Sequence, residues 1–278
     1  MSSQRATAFV PGHVTAFFSA HPDPDPTAAG SRGAGVTLTD GVRVTVAAGD
    51  GARTVDGDPA AIGAAEDVLS ELDAPAADVA IESDLPIGAG FGVSGAAALG
   101  TALAANAAFD RGRSENALAR IAHAAEVGRG TGLGDVVAQA RGGVPVRLEP
   151  GAPPVGELDG VPAAARVEYV SFGELSTEAV LGGDTAALTA AGADALDRLR
   201  ADPRLPTMMA AARRFARDAD LLVPAVADAI EAVSATGGEA AMAMLGRTVF
   251  ALGTGLSDAG YDPAACRVDA AGARLETR

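Results

Sequence analysis

Near the start of the chain, apolar residues fall in short β-branched runs broken by turn residues. Residues 5–10 and 14–18 predict two short strands around Pro11-Gly12, and 20–35, rich in Pro, Asp, Gly and Ser, reads as a loop. Val36-Thr-Leu-Thr and Val42-Arg-Val-Thr-Val46 flank Asp40-Gly41, a pair that readily supplies the positive φ angles of a type I′ turn, so a hairpin is expected there. A helix over 59–73 and a strand at 79–81 follow. The pattern then turns helical in an Ala-rich stretch at 94–109. It stays helical over 115–128, where Leu118, Ile121, Ala122 and Ala125 share a face and Ser114 is placed to cap. A short helix from Asp135 to the Gly142-Gly143 stop leads into a strand at 144–148. Glu149-Pro-Gly-Ala-Pro-Pro154 is the best linker, dividing the chain into 1–150 and 151–278. Beyond it the pattern gives a strand (166–172), several helices between about 174 and 234, a mixed segment (240–252) and a short strand pair near the end. Strands grouped in hairpins rather than alternating with helices indicate an α+β fold.

Charge and composition narrow the chemistry. The 278 residues include 36 acids against 21 bases, a formal net charge of −15, and every basic residue is arginine. Without lysine there is neither a Walker-type phosphate loop nor a Schiff base. The single cysteine, Cys266, excludes an internal disulfide, a thiolate zinc cage and an iron–sulfur cluster. So negative a chain argues against nucleic-acid and acidic-membrane partners. The N-terminus lacks a basic segment followed by an apolar one, and the apolar stretches fall well short of the ~20 residues of a membrane span, so a cytoplasmic protein is expected. Acid excess with small apolar residues resembles the proteins of salt-loving archaea, whose surface carboxylates are screened within ~3 Å at about 1 M salt. GC-rich codon usage would favour Arg, Ala and Gly, but not the acids.

The chemistry concentrates in Asp84-Leu-Pro86-Ile-Gly88-Ala-Gly90-Phe-Gly92-Val-Ser94-Gly95-Ala. Glycines at alternate positions let the backbone approach a ligand, and the helix that follows adds its positive end, so the segment suits phosphate without lysine. Ser94 could offer its hydroxyl to phosphate or Mg²⁺. Two other readings stay open. One is a plain turn with Ser94 as N-cap. The other is a dinucleotide fingerprint over Gly90, Gly92 and Gly95, with Asp110 as its acid, although that motif belongs directly after a strand.

The segment also resembles the second motif of the GHMP kinases, P-x-G-x-G-L-G-S-S-A-A, from which Phe91, Val93 and Gly95 depart. Downstream, His123-Ala-Ala-Glu126-Val-Gly-Arg-Gly-Thr-Gly-Leu-Gly134-Asp135, ending at Gly142-Gly143, is similar to the same family's acidic stretch. The resemblance implies a ribosomal S5 domain 2-like N-terminal part and a helix-rich α+β C-terminal part. It implies that Pro86, Gly88, Ala89, Gly90, Gly92, Val93, Ser94 and Gly95 hold ATP. Ser94 and Glu126 would ligate Mg²⁺, and Asp135 would accept the acceptor hydroxyl's proton or orient that hydroxyl.

Within that superfamily, Pro11-Gly12-His13-Val-Thr-Ala-Phe-Phe-Ser19, Gly30-Ser-Arg-Gly-Ala-Gly35 and Met-Ala-Met-Leu-Gly246-Arg-Thr-Val-Phe-Ala251 are similar to the archaeal pantoate kinases. Most other members carry lysine where His13 stands. This resemblance implies phosphorylation of (R)-pantoate to 4-phosphopantoate on the way to coenzyme A, and a homodimer. It implies a pantoate pocket that includes Ser19, Arg32, His123, Arg147 and Thr177, an arginine fork suiting the carboxylate. A kinase for another small hydroxy acid or alcohol, such as homoserine or mevalonate, and a nucleotide-binding protein without turnover are the rivals. His13 and His21 with Asp23 and Asp25 are a minor metal candidate, and Arg200, Arg204, Arg213, Arg214 and Arg217 read as a surface face paired with acids.

Overall fold

Two long strands carry the N-terminal half. In the computed structural model, which describes residues 4–74, 76–173, 185–244 and 246–276, β1 (Arg5–His21) and β2 (Gly30–Ala48) pair antiparallel along their lengths. The strands expected on either side of Pro11-Gly12 are therefore one, and the loop expected over 20–35 contracts to 22–29. The hairpin expected at Asp40-Gly41 does not form. β2 runs through that pair and bulges there: Gly41 lies opposite Pro11 and Leu38 opposite Gly12, and neither Asp40 nor Gly41 has a positive φ. Ladders on both sides of β2 outweigh the local turn preference, and the surplus residues become a bulge.

The remaining elements are β3 (Arg53–Val55), β4 (Asp58–Pro59), α1 (Gly63–Glu71), β5 (Ala77–Ser83), α2 (Val93–Ala108), α3 (Glu115–Arg129), α4 (Asp135–Arg141), β6 (Pro145–Glu149), β7 (Glu157–Gly160) and β8 (Arg166–Ser171). After them come α5 (Ala186–Ala201), α6 (Leu205–Asp218), α7 (Pro224–Ala235), β9 (Glu239–Ala243), β10 (Thr248–Leu252), α8 (Gly255–Asp258), β11 (Ala264–Arg267) and β12 (Arg274–Leu275). One sheet has the order β12-β1-β2-β5-β3-β4, with β6 joined to β2 and β7 to β6; the other is β11-β8-β10-β9. The division at 150/151 falls between two strands of the first sheet, β6 and β7, and β12 also returns to that sheet. β11 and β12 do not pair with each other, as a strand pair near the end would; each closes a different sheet.

Among the described strands only β3 and β5 pair in parallel. The fold is thus α+β, as the pattern indicated, and the dinucleotide fingerprint loses the parallel sheet it needs. No helix among the described residues is long and apolar enough to cross a membrane.

α2 is enclosed nearly all round by β1 and β2 on one side and α1 and α3 on the other. That placement explains its alanines and glycines: a Cβ at Gly100 would collide with Val44. Close approach recurs where α5 crosses β1, since a Cβ at Gly192 would strike the Phe18 carbonyl. Phe17, Leu38, Leu99 and Leu118 are buried in the core so formed, each worth roughly 1.5–3 kcal/mol. Ser114 caps α3 as expected, its Oγ accepting from the Ala117 N–H at 3.4 Å.

Candidate active site

The glycine segment leaves β5 and turns into α2. Gly88, Gly90 and Gly92 all take left-handed φ angles, 79°, 89° and 65°. Gly92 is itself the cap of α2, so Ser94 lies inside the first turn and the N-cap reading of Ser94 fails. The segment is clamped from the far side of the molecule. The buried Thr248 hydroxyl donates to the Ala89 carbonyl at 2.8 Å, and a Cβ at Gly90 would come within 3.0 Å of the Met244 carbonyl. Phe91 packs edge-on against Tyr169, ring centres 4.8 Å apart, and Tyr169 in turn donates to Asp40 in the β2 bulge at 3.0 Å. Phe91 thus fills a contact from the second sheet. Gly95 faces α4, where a Cβ would lie 3.2 Å from Val136.

α3 and the turn after it meet α2 at Ser94. Its hydroxyl donates to Glu126 Oε1 on α3 at 2.6 Å, and Thr131 donates to the same oxygen at 2.9 Å. Glu126 is buried, and no arginine among the described residues lies within ion-pair distance of it. Burial pushes its pKa from 4.5 up to about 7, against the opposing hydrogen bonds of Ser94 and Thr131. A buried carboxylate beside a hydroxyl, with only the more distant charge of Arg129 to offset its own, is a donor set that fits a hard divalent ion. Among the described residues no three His, Cys, Asp or Glu side chains form a metal cluster, so the minor site of His13, His21, Asp23 and Asp25 is not assembled. An ion here would take its remaining ligands from phosphate and water.

Asp135 opens α4 beyond the Gly-rich turn, where the helix end favours a negative charge. A Cβ at Gly132 would lie 2.8 Å from Glu126 Oε2 and 3.5 Å from Asp135 Oδ2, so only a bare glycine lets the turn pass this close to the two carboxylates. His13 Nδ1 lies 2.7 Å from Asp135 Oδ1. Burial raises Asp135, but the His13 hydrogen bond and the nearby Arg147 outweigh it and hold the carboxyl below its usual range. Arg147 is 2% exposed, its Nε and Nη1 have no hydrogen-bond partner, and burial pulls it down to about 10.

The other residues expected in the pocket are distributed around this centre. His123 Nε2–H donates to the Ala29 carbonyl at 2.9 Å, and burial lowers its pKa; it feels the charges of both Arg147 and Asp135. Ser19 and Arg32 sit opposite one another on β1 and β2 but make other bonds: Ser19 Oγ lies 2.9 Å from His21 Nε2, and Arg32 pairs with Glu149. Thr177 lies outside the described residues. A cavity of about 610 Å³ on the outer side of α3, lined by Thr27, Asp67, Arg113, Arg120 and Arg129, touches none of Ser94, Glu126 and Asp135. In the arginine face, Arg204 pairs with Asp202, Arg213 with Glu239, and Arg214 with Asp194 and Asp218.

Comparison with known proteins matches this geometry to a family. Residues 60–143 fit the GHMP kinases N terminal domain. A pantoate kinase of Thermococcus kodakarensis is 38% identical over 266 residues, covering 88% of this chain and 86% of that protein. The chain belongs to the pantoate kinase family. A second pantoate kinase, from Methanospirillum hungatei, is 34% identical over 265 residues, covering 91% of this chain and 89% of the other. A solved phosphotransferase related to the CoA biosynthesis pathway superposes with a TM-score of 0.88 at 31% identity, covering 98% of each chain. The chain therefore has the GHMP kinase fold.

The centre also includes residues that the sequence reading did not place in it. His13 stands where most of the superfamily has lysine, and that position, rather than the minor metal grouping with His21, Asp23 and Asp25, is the signal for its place beside Asp135. Thr131, Gln139, which donates to the Gly92 carbonyl at 2.9 Å, and Thr248 carried no motif of their own.

Proposed function

We propose that the chain transfers the γ-phosphoryl group of ATP to the 4-hydroxyl of (R)-pantoate. The observation that carries this reading is Arg147, a buried guanidinium beside Asp135 with two nitrogens unpartnered. An unpaired charge in such a place is costly unless an anion meets it. A hydroxy acid supplies both parts: its carboxylate to Arg147 and its hydroxyl to Asp135.

The glycine segment, with its amides and the N-terminal end of α2, holds the triphosphate. Ser94 and Glu126 would hold Mg²⁺, which supplies charge neutralisation on the phosphates when bound. Asp135 accepts or orients the proton of the attacking hydroxyl. As the hydroxyl oxygen bonds to the γ-phosphorus, the bond to the bridging oxygen of ADP breaks. On this reading His123, Ser19, Arg32 and Thr177 would contribute to binding the acceptor. The working protein on this reading is a cytoplasmic homodimer that binds small molecules and neither nucleic acid nor membrane.

The test is a coupled ADP-release assay in molar KCl with pantoate, homoserine, mevalonate and shikimate in parallel. Pantoate is expected to give the highest kcat/KM, with a phosphorylated hydroxy acid as product. Faster turnover of any other acceptor overturns the assignment.

A further inference from the structure

Three observations meet at His13. Its side chain is 0% exposed and sits in β1 just past the bulge at Pro11-Gly12. Its backbone N–H donates to the Phe91 carbonyl at 3.0 Å, tying β1 to the phosphate-binding segment. Its ring reaches across to α4 and meets Asp135 Oδ1 at 2.7 Å. One residue therefore links the glycine segment to the carboxylate that faces the acceptor.

The ring has no freedom to turn away. It lies against the backbone of Gly35 on β2, where a Cβ would collide with Nε2 and come within 3.1 Å of Cε1. The protonation pattern follows from what each neighbour can accept or give. An ionised carboxylate only accepts, so the nitrogen facing Asp135 carries the hydrogen. Nε2 is buried without a partner. A doubly protonated ring would bury an unpaired N–H there and set a second positive charge beside Arg147, which both costs of burial oppose. Thr15 Oγ1, 3.4 Å from Nδ1, adds no charge.

We propose that His13 is a positioning residue: a neutral imidazole that donates from Nδ1 to Asp135 Oδ1, fixes the carboxylate's rotation, and leaves Oδ2, on the Gly132 side, for the acceptor hydroxyl. This rests on the assignment of Asp135 made above. His13 does not touch the substrate; it acts through Asp135. An ammonium group at this place would bring an added charge as well as a donor, whereas the imidazole supplies the donor alone and leaves Arg147 as the cation of the pocket.

The experiment compares full-length wild-type protein with His13→Leu and His13→Asn. Leucine fills the ring's volume without a donor; the asparagine amide nitrogen stands near the place of Nδ1. His13→Leu is expected to lower kcat by about 10²-fold, the scale of a misplaced reacting group. KM for ATP and for pantoate should stay within about threefold. His13→Asn should recover at least about tenfold of the lost kcat, which a purely space-filling role would not give. A His13→Leu enzyme within about threefold of wild type in kcat overturns the proposal, as does a folded His13→Asn no faster than His13→Leu. Nitrogen-15 spectra of the three histidines supply a readout independent of turnover. Wild type should show one neutral ring protonated at Nδ1, absent from His13→Asn; its absence from wild type overturns the proposal even where His13→Leu does not fold. If the protein prefers an acceptor other than pantoate, the same variant ratios measured on that acceptor still decide the role of His13, while the pantoate reading alone falls.

Discussion

Glu126 is expected to cost the protein stability in return for its place in the site. Its pKa rises from 4.5 to about 7, chiefly through burial. At about 1.4 kcal/mol per pH unit, the ionised side chain opposes folding by about 3 kcal/mol in metal-free protein. The direction follows from linkage. Below about pH 4.5 the carboxyl is neutral in folded and unfolded chains alike and the cost vanishes; it grows from there and is complete above about pH 7. Glu126→Gln removes it, because the amide oxygen still accepts from Ser94 and Thr131. Urea unfolding in EDTA should therefore find Glu126→Gln about 3 kcal/mol more stable than wild type at pH 8.5 and equal to it near pH 4.5. Adding Mg²⁺ and a nucleotide should narrow the gap at pH 8.5 by stabilising wild type alone. The same variant should lose at least about 10²-fold in kcat. A variant no more stable than wild type at pH 8.5, or equally stabilised at both pH values, refutes the reasoning.

Three other outcomes follow. Asp135→Asn keeps the shape of the side chain and removes its charge, so kcat should fall by about 10²-fold or more with nucleotide affinity unchanged; a rate within about tenfold of wild type would remove Asp135 from the chemistry. Arg147→Met should raise the pantoate KM by on the order of 10²-fold with little effect on ATP, and leave the melting temperature unchanged or higher, since an unpaired buried charge is gone. A lower melting temperature with an unchanged pantoate KM would make Arg147 structural. Thr248→Val strands the Ala89 carbonyl and should cost about 1–3 kcal/mol in urea unfolding while raising the KM for ATP; an unchanged KM for ATP would show that the clamp does not shape the segment.

Much of the candidate site was legible because its residues fall in local motifs. The alternate glycines, Ser94, Glu126 and Asp135 come in an order that the fold turns into one cluster, and the Ser114 cap and the Gly142-Gly143 stop bounded their helices correctly. The misread places are those where a distant partner decided the outcome. Asp40-Gly41 has the residues of a tight turn, yet β1 and β5 on either side hold it as a bulge. β11 and β12 look like neighbours in sequence but answer to β8 and β1. Ser114 capping needs only residues three apart, whereas His13 and Asp135 are separated by 122 positions and no spacing rule joins them. The pairing of Arg32 with Glu149 likewise depends on where β6 docks, which no local pattern reveals.

The clamp on the glycine segment also sets an order of events during synthesis. Ala89 is held by Thr248, 159 residues later in the chain, and Phe91 by Tyr169. Contacts of such long sequence separation form late, after the local helices and hairpins. While the chain grows, the glycine segment is therefore expected to emerge before the partners that hold it. A chain cut short before Thr248 is thus expected to carry every residue of the Ser94–Glu126–Asp135 cluster without the contact that holds Ala89.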